Sequence, residues 1–409
     1  MIKNINIFVK KNSKKILINS FLFYSFFKFF VFIYKKNFLY IFKNEWAFSE
    51  YFITYKGGFV RRGLAGELTL FLSNLFSKVF NFIDSNSILL QVQKEHPFMT
   101  KSIIEETFYL PYIVFLLSFF SVTHIFIFVY KKIKDILLIN TLIFIFVPYG
   151  LIYFVNNLDK FFGRKEFLIV NLLIFLYKRK NNLNSYKNLF IFFFTSIFLI
   201  LSHEIYLFFV PIFWKIIAAK DKKFRIFKYL SFLNLIALNV FIILNHFTTE
   251  NYLGFKELCD DIHTRRIALL LDNLQCWGAP RYLDARFVNA DYENSQFINQ
   301  IINGVENKIL FWIFILISLV FLMKIFNFEN KNIIFLNGPF FGLFLVAEDF
   351  GRWCFLILLL IIIFVKDEHL KKINNYRKLS YVLIISGLII DVPFYLFEKD
   401  SVFQFIFIN

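Results

Sequence analysis

FYLPYIVFLLSFFSVTHIFIFVYKKIK, residues 108–134, is the stretch that decides the fold. From Phe108 to Tyr130 it holds no Asp, Glu, Lys or Arg, and it then meets Lys131, Lys132 and Lys134. Its apolar residues run on instead of alternating, which excludes a barrel strand. A hydrocarbon core leaves backbone polar groups only helices or closed barrels, and about 20 apolar residues in a helix span it. The stretch therefore reads as a transmembrane helix that ends at a basic, cytoplasmic loop.

The rest of the chain repeats this pattern. It has 409 residues, 58% of them hydrophobic and 64 of them Phe, far above the apolar share of about 45–50% in soluble domains. The Phe, Ile, Asn and Lys bias has the look of an AT-rich genome and is no sign of strands. Apolar runs are expected to span at Ile16–Tyr34, Phe108–Tyr130, Ile136–Val155, Phe167–Tyr177, Leu189–Leu201 and Ile205–Ile217. Further spans are expected at Tyr229–Leu244, Ile309–Phe326, Ile333–Val346, Cys354–Val365 and Leu379–Phe397. The fold expected is an all-α, polytopic membrane protein of about eleven spans. Residues 1–409 read as one integral membrane domain with two sizeable external loops, about 44–107 and 245–308. Within the first loop, Gly66–Ile83 is amphipathic and short of apolar length, so it reads as an interfacial helix.

A net charge of +17 in a soluble protein would point to nucleic acid. Here the basic residues cluster between apolar runs, at Lys10–Lys15, Lys131–Lys134, Lys178–Lys180, Lys222–Arg225 and Lys366–Lys378. That placement is the positive-inside signature, with a cytoplasmic N-terminus, and no nucleic-acid partner is expected. No small-residue cleavage site follows the first apolar run, so it is expected to stay as a span. Cys259 and Cys276 share the second external loop and can pair in an oxidising compartment or remain thiols. Cys354 lies in an apolar run and reads as packed.

The same topology sends every unusual polar motif outward, to the face opposite the lysine-rich loops. The motifs are Glu45 to Glu50 with Tyr55–Gly63, Asp159–Glu166, Ser202-His203-Glu204, the long loop with Arg265, Arg266, Arg281 and Arg286, and Glu348–Trp353. Ionisable residues at membrane depth mark functional sites by default. Glycine stands beside Arg61 and Arg62, beside Arg164 and beside Arg352. The guanidinium fork matches phosphate oxygens, and a neighbouring glycine lets the backbone approach an anion. Each arginine can instead pair with a nearby carboxylate, Arg352 with Asp349 for example. Glu45, Glu50, Asp159, Glu204 and Asp349 are candidates for a general base on a sugar hydroxyl. Arg61, Arg62, Arg164, His203, Arg265, Arg266 and Arg352 are candidates for holding a diphosphate or its glycan.

His203 and Glu204 are adjacent and point about 100° apart on a helix, so they do not chelate as an i, i+4 pair does. No cofactor and no histidine-ligated metal are expected, while a carboxylate-bound divalent cation stays open. There is no phosphate-binding loop, dinucleotide fingerprint or nucleophile elbow. Trp46, Trp277 and Trp353 read first as interfacial belt residues and second as sugar-stacking platforms.

The basic N-terminus, the eleven spans, the late external loop and the external arginines together resemble the O-antigen polymerases of the Wzy type. The likeness is one of architecture along the whole chain. The early external region, with an acidic residue just after the first span and an amphipathic helix behind it, resembles the wider GT-C class of membrane glycosyltransferases. This resemblance implies an undecaprenyl diphosphate-linked oligosaccharide as substrate and Glu45 or Glu50 as base. It also implies the periplasmic face of a bacterial inner membrane as the place of reaction, and a chain-length regulator as a candidate protein partner. The alternatives are a GT-C enzyme adding one sugar from a polyprenyl-phosphate donor, a lipid-linked sugar flippase, and a membrane scaffold. A flippase calls for charges along a path through the bilayer and related halves, whereas here the charges gather at one end.

Overall fold

The computed structural model describes residues 2–35, 50–53, 63–80, 90–94, 99–179, 186–203, 205–218, 232–238, 252–269, 313–329, 350–370 and 376–390, with a few single positions besides. These residues are helical almost throughout, and no β-strand element occurs among them. In chain order the helices are α1 (Ile2–Lys35), α2 (Gly63–Phe80), α3 (Lys101–Thr107), α4 (Leu110–Ile133), α5 (Leu138–Phe146), α6 (Leu151–Asn156) and α7 (Leu158–Phe161). They continue as α8 (Glu166–Arg179), α9 (Tyr186–Ser202), α10 (Tyr206–Ala218), α11 (Tyr252–Ala268), α12 (Ile313–Ile325), α13 (Phe350–Phe364), α14 (Asp367–Leu370) and α15 (Arg377–Ile389). A single 3-10 turn, Glu50–Phe52, stands ahead of α2.

Among the described residues, three helical stretches are long and apolar enough to cross a membrane. They are Asn12–Tyr34 within α1, Lys101–Ile133 through α3 and α4, and Leu138–Asn156 through α5 and α6. Shorter apolar helices lie at Lys187–Ser202, Ile313–Ile325 and Gly351–Phe364. On α1, Phe23, Phe26 and Phe30 are 60–73% exposed, which is a liability in water and an ordinary contact in lipid. The described residues form an all-helical structure whose apolar helices are compatible with a membrane-embedded protein. All but one position of the expected span Ile333–Val346, and part of Tyr229–Leu244, lie outside the described residues.

Local chemistry accounts for two departures from the expected runs. Ile136–Val155 is interrupted between α5 and α6, where Pro148 lacks the N–H that would continue the helix. The run expected at Phe167–Tyr177 begins at Glu166 and has only 14 residues, about 21 Å of helix. That is short of a hydrocarbon core of about 30 Å. Its residues Phe167, Ile169, Val170, Leu172, Leu173, Ile174 and Leu176 are all buried, so α8 is an internal helix surrounded by protein. The expected interfacial helix is α2, which is not among the helices apolar enough to cross.

The chain divides into two compact units. The first comprises residues 1–35, 126–161 and 296–409. In it α1 packs along α5, α6 and α7, and α15 packs on α5. Its core is aromatic: Phe355 stacks on Phe154 at 4.8 Å and meets Phe161 edge-on at 5.2 Å. Lys132 closes its basic end by donating to the Val365 carbonyl at 2.8 Å and to Asp367 at 2.7 Å.

The second unit comprises residues 36–125 and 162–295. There α2 packs on α3 and α9, α8 on α9 and α10, and α11 on α3. Two serines of α2 enter the junction of α3 and α4. Ser73 Oγ accepts from the Tyr109 N–H at 3.0 Å, and Ser77 Oγ donates to the Glu105 carbonyl. A side chain inserted in the helical ladder is a common cause of local irregularity, and here it leaves Phe108 and Tyr109 as the turn between the two helices.

Candidate functional site

The site grows from the turn that starts α8. Gly163 has φ 88°, a conformation that costs a glycine nothing and a residue with a Cβ much more. The turn it makes delivers Arg164, Lys165 and Glu166 in succession into the protein interior, where they are 6%, 1% and 1% exposed. Burial of three consecutive charged side chains is costly unless each finds partners. Lys165 finds two: Nζ donates to the Ser202 carbonyl at 3.4 Å and lies 5.0 Å from the ring centroid of Tyr51.

Tyr51 is held there by backbone contact. The segment Tyr51-Phe52-Ile53 is buried against α2, and a Cβ added to Gly66 would run into the Ile53 carbonyl oxygen. Glycine at position 66 thus lets the turn at Glu50–Phe52 sit directly on the helix and aims the Tyr51 ring at the lysine.

Glu166 faces His203, which sits just beyond the C-terminus of α9. His203 Nε2 is 3.6 Å from Glu166 Oε1, and both side chains are buried. The Ile205 N–H donates to His203 Nδ1 at 3.2 Å. Nδ1 therefore carries a lone pair, and the ring proton of a neutral imidazole sits on Nε2, the nitrogen turned toward the carboxylate. A histidine so held turns its Nε2 toward the carboxylate at a distance just beyond a hydrogen bond.

Residues of two of the five sequence motifs thus meet in the second unit, beside a tyrosine that directly follows a third. The turn at Glu50, the Arg164–Glu166 segment and the Ser202–His203 corner come together through Tyr51, Lys165 and Glu166. Glu50 begins the 3-10 turn. Of the groups that make the contacts, Lys165, Glu166 and Tyr51 are not among the residues that the sequence singles out as chemistry. Their signal is the unbroken apolar run after Glu166, which leaves a charged side chain no water to face.

The other predicted residues lie elsewhere. Asp159 is on α7 in the first unit and is partly buried. Arg265 is engaged by carboxylates: Nε donates to Asp261 at 2.9 Å one turn back on α11, and Nη1 lies 3.4 Å from Glu106 on α3. Arg266 follows it and is also buried. Arg352 lies on α13 with its guanidinium 4.2 Å from the Trp353 ring centroid. Trp353 is 2% exposed, so it is a core residue and not part of an interfacial belt. Glu45, Arg61, Arg62, Glu204 and Asp349 lie outside the described residues, as do Arg281 and Arg286. Cys259 on α11 is disulfide-bonded and Cys354 is a buried free thiol. Among the described residues no group of three His, Cys, Asp or Glu gathers as metal ligands do.

Comparison with protein-family models, with curated proteins and with solved structures finds no match to this chain.

Proposed function

We propose that this chain is a membrane-embedded glycosyltransferase acting on polyprenyl diphosphate-linked oligosaccharides, and that its reaction joins O-antigen-type repeat units. The observation that carries the reading is the buried Glu166–His203 pair beside Lys165. Glu166 takes the proton of an acceptor hydroxyl, the oxygen forms a bond to the anomeric carbon of the donor glycan, and the bond from that carbon to the diphosphate breaks. The electron pair leaves with undecaprenyl diphosphate. Cations placed where that negative charge develops stabilise the transition state electrostatically, and in a site withdrawn from water this stabilisation usually outweighs every other catalytic effect.

Two features favour a site facing the periplasm of a bacterial inner membrane. Glu166 stands at the start of α8, whose other end carries Lys178 and Arg179, a cytoplasmic signature. The disulfide-bonded Cys259 lies on α11, which packs on α3, and α3 is at the end of Lys101–Ile133 far from Lys131 and Lys132. A disulfide belongs on the oxidising side.

The test is the lipopolysaccharide banding of a deletion strain complemented with wild type or with Glu166→Gln. A positioned base contributes about 10²–10⁴ in rate, so Glu166→Gln is expected to leave core plus one repeat where wild type restores a ladder. An intact ladder of altered mobility in the deletion strain would assign a single-sugar transferase instead. An unchanged pattern in that strain would remove both readings.

A further inference from the structure

α8 carries one amide among its apolar residues, Asn171. Its Nδ2 donates to the Phe167 carbonyl one turn back at 2.8 Å, and across to the Ser121 carbonyl of α4 at 3.2 Å. A carbonyl only accepts, so the amide nitrogen lies on that side and Oδ1 on the other. Oδ1 is 2.6 Å from His124 Nδ1. It too only accepts, so the ring proton of a neutral His124 sits on Nδ1 and the lone pair on Nε2. Lys178, about two turns along α8 from Asn171, donates through Nζ to that Nε2 at 3.2 Å.

An amine, an imidazole lone pair turned toward it and an amide that fixes the imidazole stand in line. Nucleophile, base and orienting group take that order in covalent catalysis. Joining α8 to α4 does not require it, because the Asn171 bond to Ser121 already crosses between the helices. A polar contact that only holds helices together sets no tautomer. Access increases along the line: His124 is partly buried, while Lys178 is exposed with Arg179 in the last turn of α8.

We propose that Lys178 is a reactive lysine, acylated at Nζ by acyl phosphates, with His124 as the base and Asn171 as its positioning residue. His124 Nε2 takes one proton from the ammonium. The neutral amine then attacks the acyl carbon, a C–N bond forms, and the bond from that carbon to the phosphate oxygen breaks. The electron pair leaves with phosphate, which takes a second proton from the nitrogen, and the imidazolium returns its proton to water. Acylation removes the Lys178 charge, and no part of the step depends on the glycosyltransferase reading.

The full chain in detergent, treated with acetyl phosphate, tests this by mass spectrometry of acetylation at each lysine against time. Lys15 and Lys131, both exposed, are the references. A positioned base is worth about 10²–10⁴ in rate, and at an exposed helix end Lys178 is expected to react at least about tenfold faster than the references. His124→Gln keeps an oxygen that accepts from Lys178 but cannot take its proton. It is expected to bring Lys178 to the reference rate with Lys15 and Lys131 unchanged. Unfolding the wild-type chain in sodium dodecyl sulfate is expected to do the same, which decides the matter where the variant loosens the fold. A native Lys178 no faster than the references would overturn the proposal. So would a His124→Gln chain that keeps the advantage, because the contact would then only join the helices.

Discussion

At the scale of single residues, the Glu166–His203 pair is coupled by burial. Removing a partner from a buried polar group costs its desolvation, about 1–3 kcal/mol, because nothing replaces the lost contact. His203→Ala is expected to lower stability by about that amount, read as thermal unfolding of the detergent-solubilised chain. In Glu166→Gln the carboxylate charge is gone, so the same His203→Ala change should cost at least about 0.5 kcal/mol less. Additive effects would mean that the two groups do not sense each other across 3.6 Å. Part of this pairing is legible in the sequence and part is not. Arg164 and His203 draw notice because ionisable groups stand where lipid is expected. Glu166 escapes because, next to Arg164 and Lys165, it reads as a local ion partner; its pairing with His203 depends on how α8 and α9 pack, which no spacing in the chain encodes.

At the scale of elements, α11 is tied to α3 by one arginine. Arg265 and Asp261 form a buried i, i+4 bond at 2.9 Å, while the 3.4 Å approach to Glu106 is about one-third exposed and contributes less. Arg265→Ala leaves the Asp261 carboxylate buried without its cation, and is expected to destabilise by about 3 kcal/mol. Limited proteolysis checks it: cleavage within 252–268 should accelerate while the rest of the chain keeps its pattern. Equal protection in variant and wild type would show that packing of Leu258, Ile262 and Ile267 suffices. Periodicity foretells neither α11 nor its role. The helix sets few apolar residues among its charges, so its sequence reads as loop, and it is held here by buried Leu258, Ile262 and Ile267 together with the contacts of Arg265.

At the scale of the whole molecule, the apolar runs carry most of what the sequence says. Residues 110–130 and 16–34 are helical as read, because a long apolar run has one way to satisfy its backbone in lipid. The short runs say less: the 14 residues of α8 are fewer than a hydrocarbon core needs and are packed among other helices, yet they end at Lys178 and Arg179. Orientation is open to a direct check. On spheroplasts, a membrane-impermeant maleimide is expected to label Cys259 only after reduction, with Cys354 unlabelled throughout. Labelling that needs lysis would invert the topology.

The stretch Lys101–Ile133 has one more consequence. At about 1.5 Å per residue α4 reaches about 36 Å, some 6 Å more than a hydrocarbon core is thick, and α3 adds about 10 Å beyond the turn at Phe108 and Tyr109. The surplus is a mast, and α11 is lashed to its top through Glu106. Height and bearing on a mast of this kind cannot be set separately. One residue added below Glu106 lifts the lashing point by about 1.5 Å and swings it by about 100°, out of reach of Arg265. Insertions of about seven or eleven residues bring the bearing back to within about 20°. How far α11 stands off the bilayer can therefore drift over generations only in long strides.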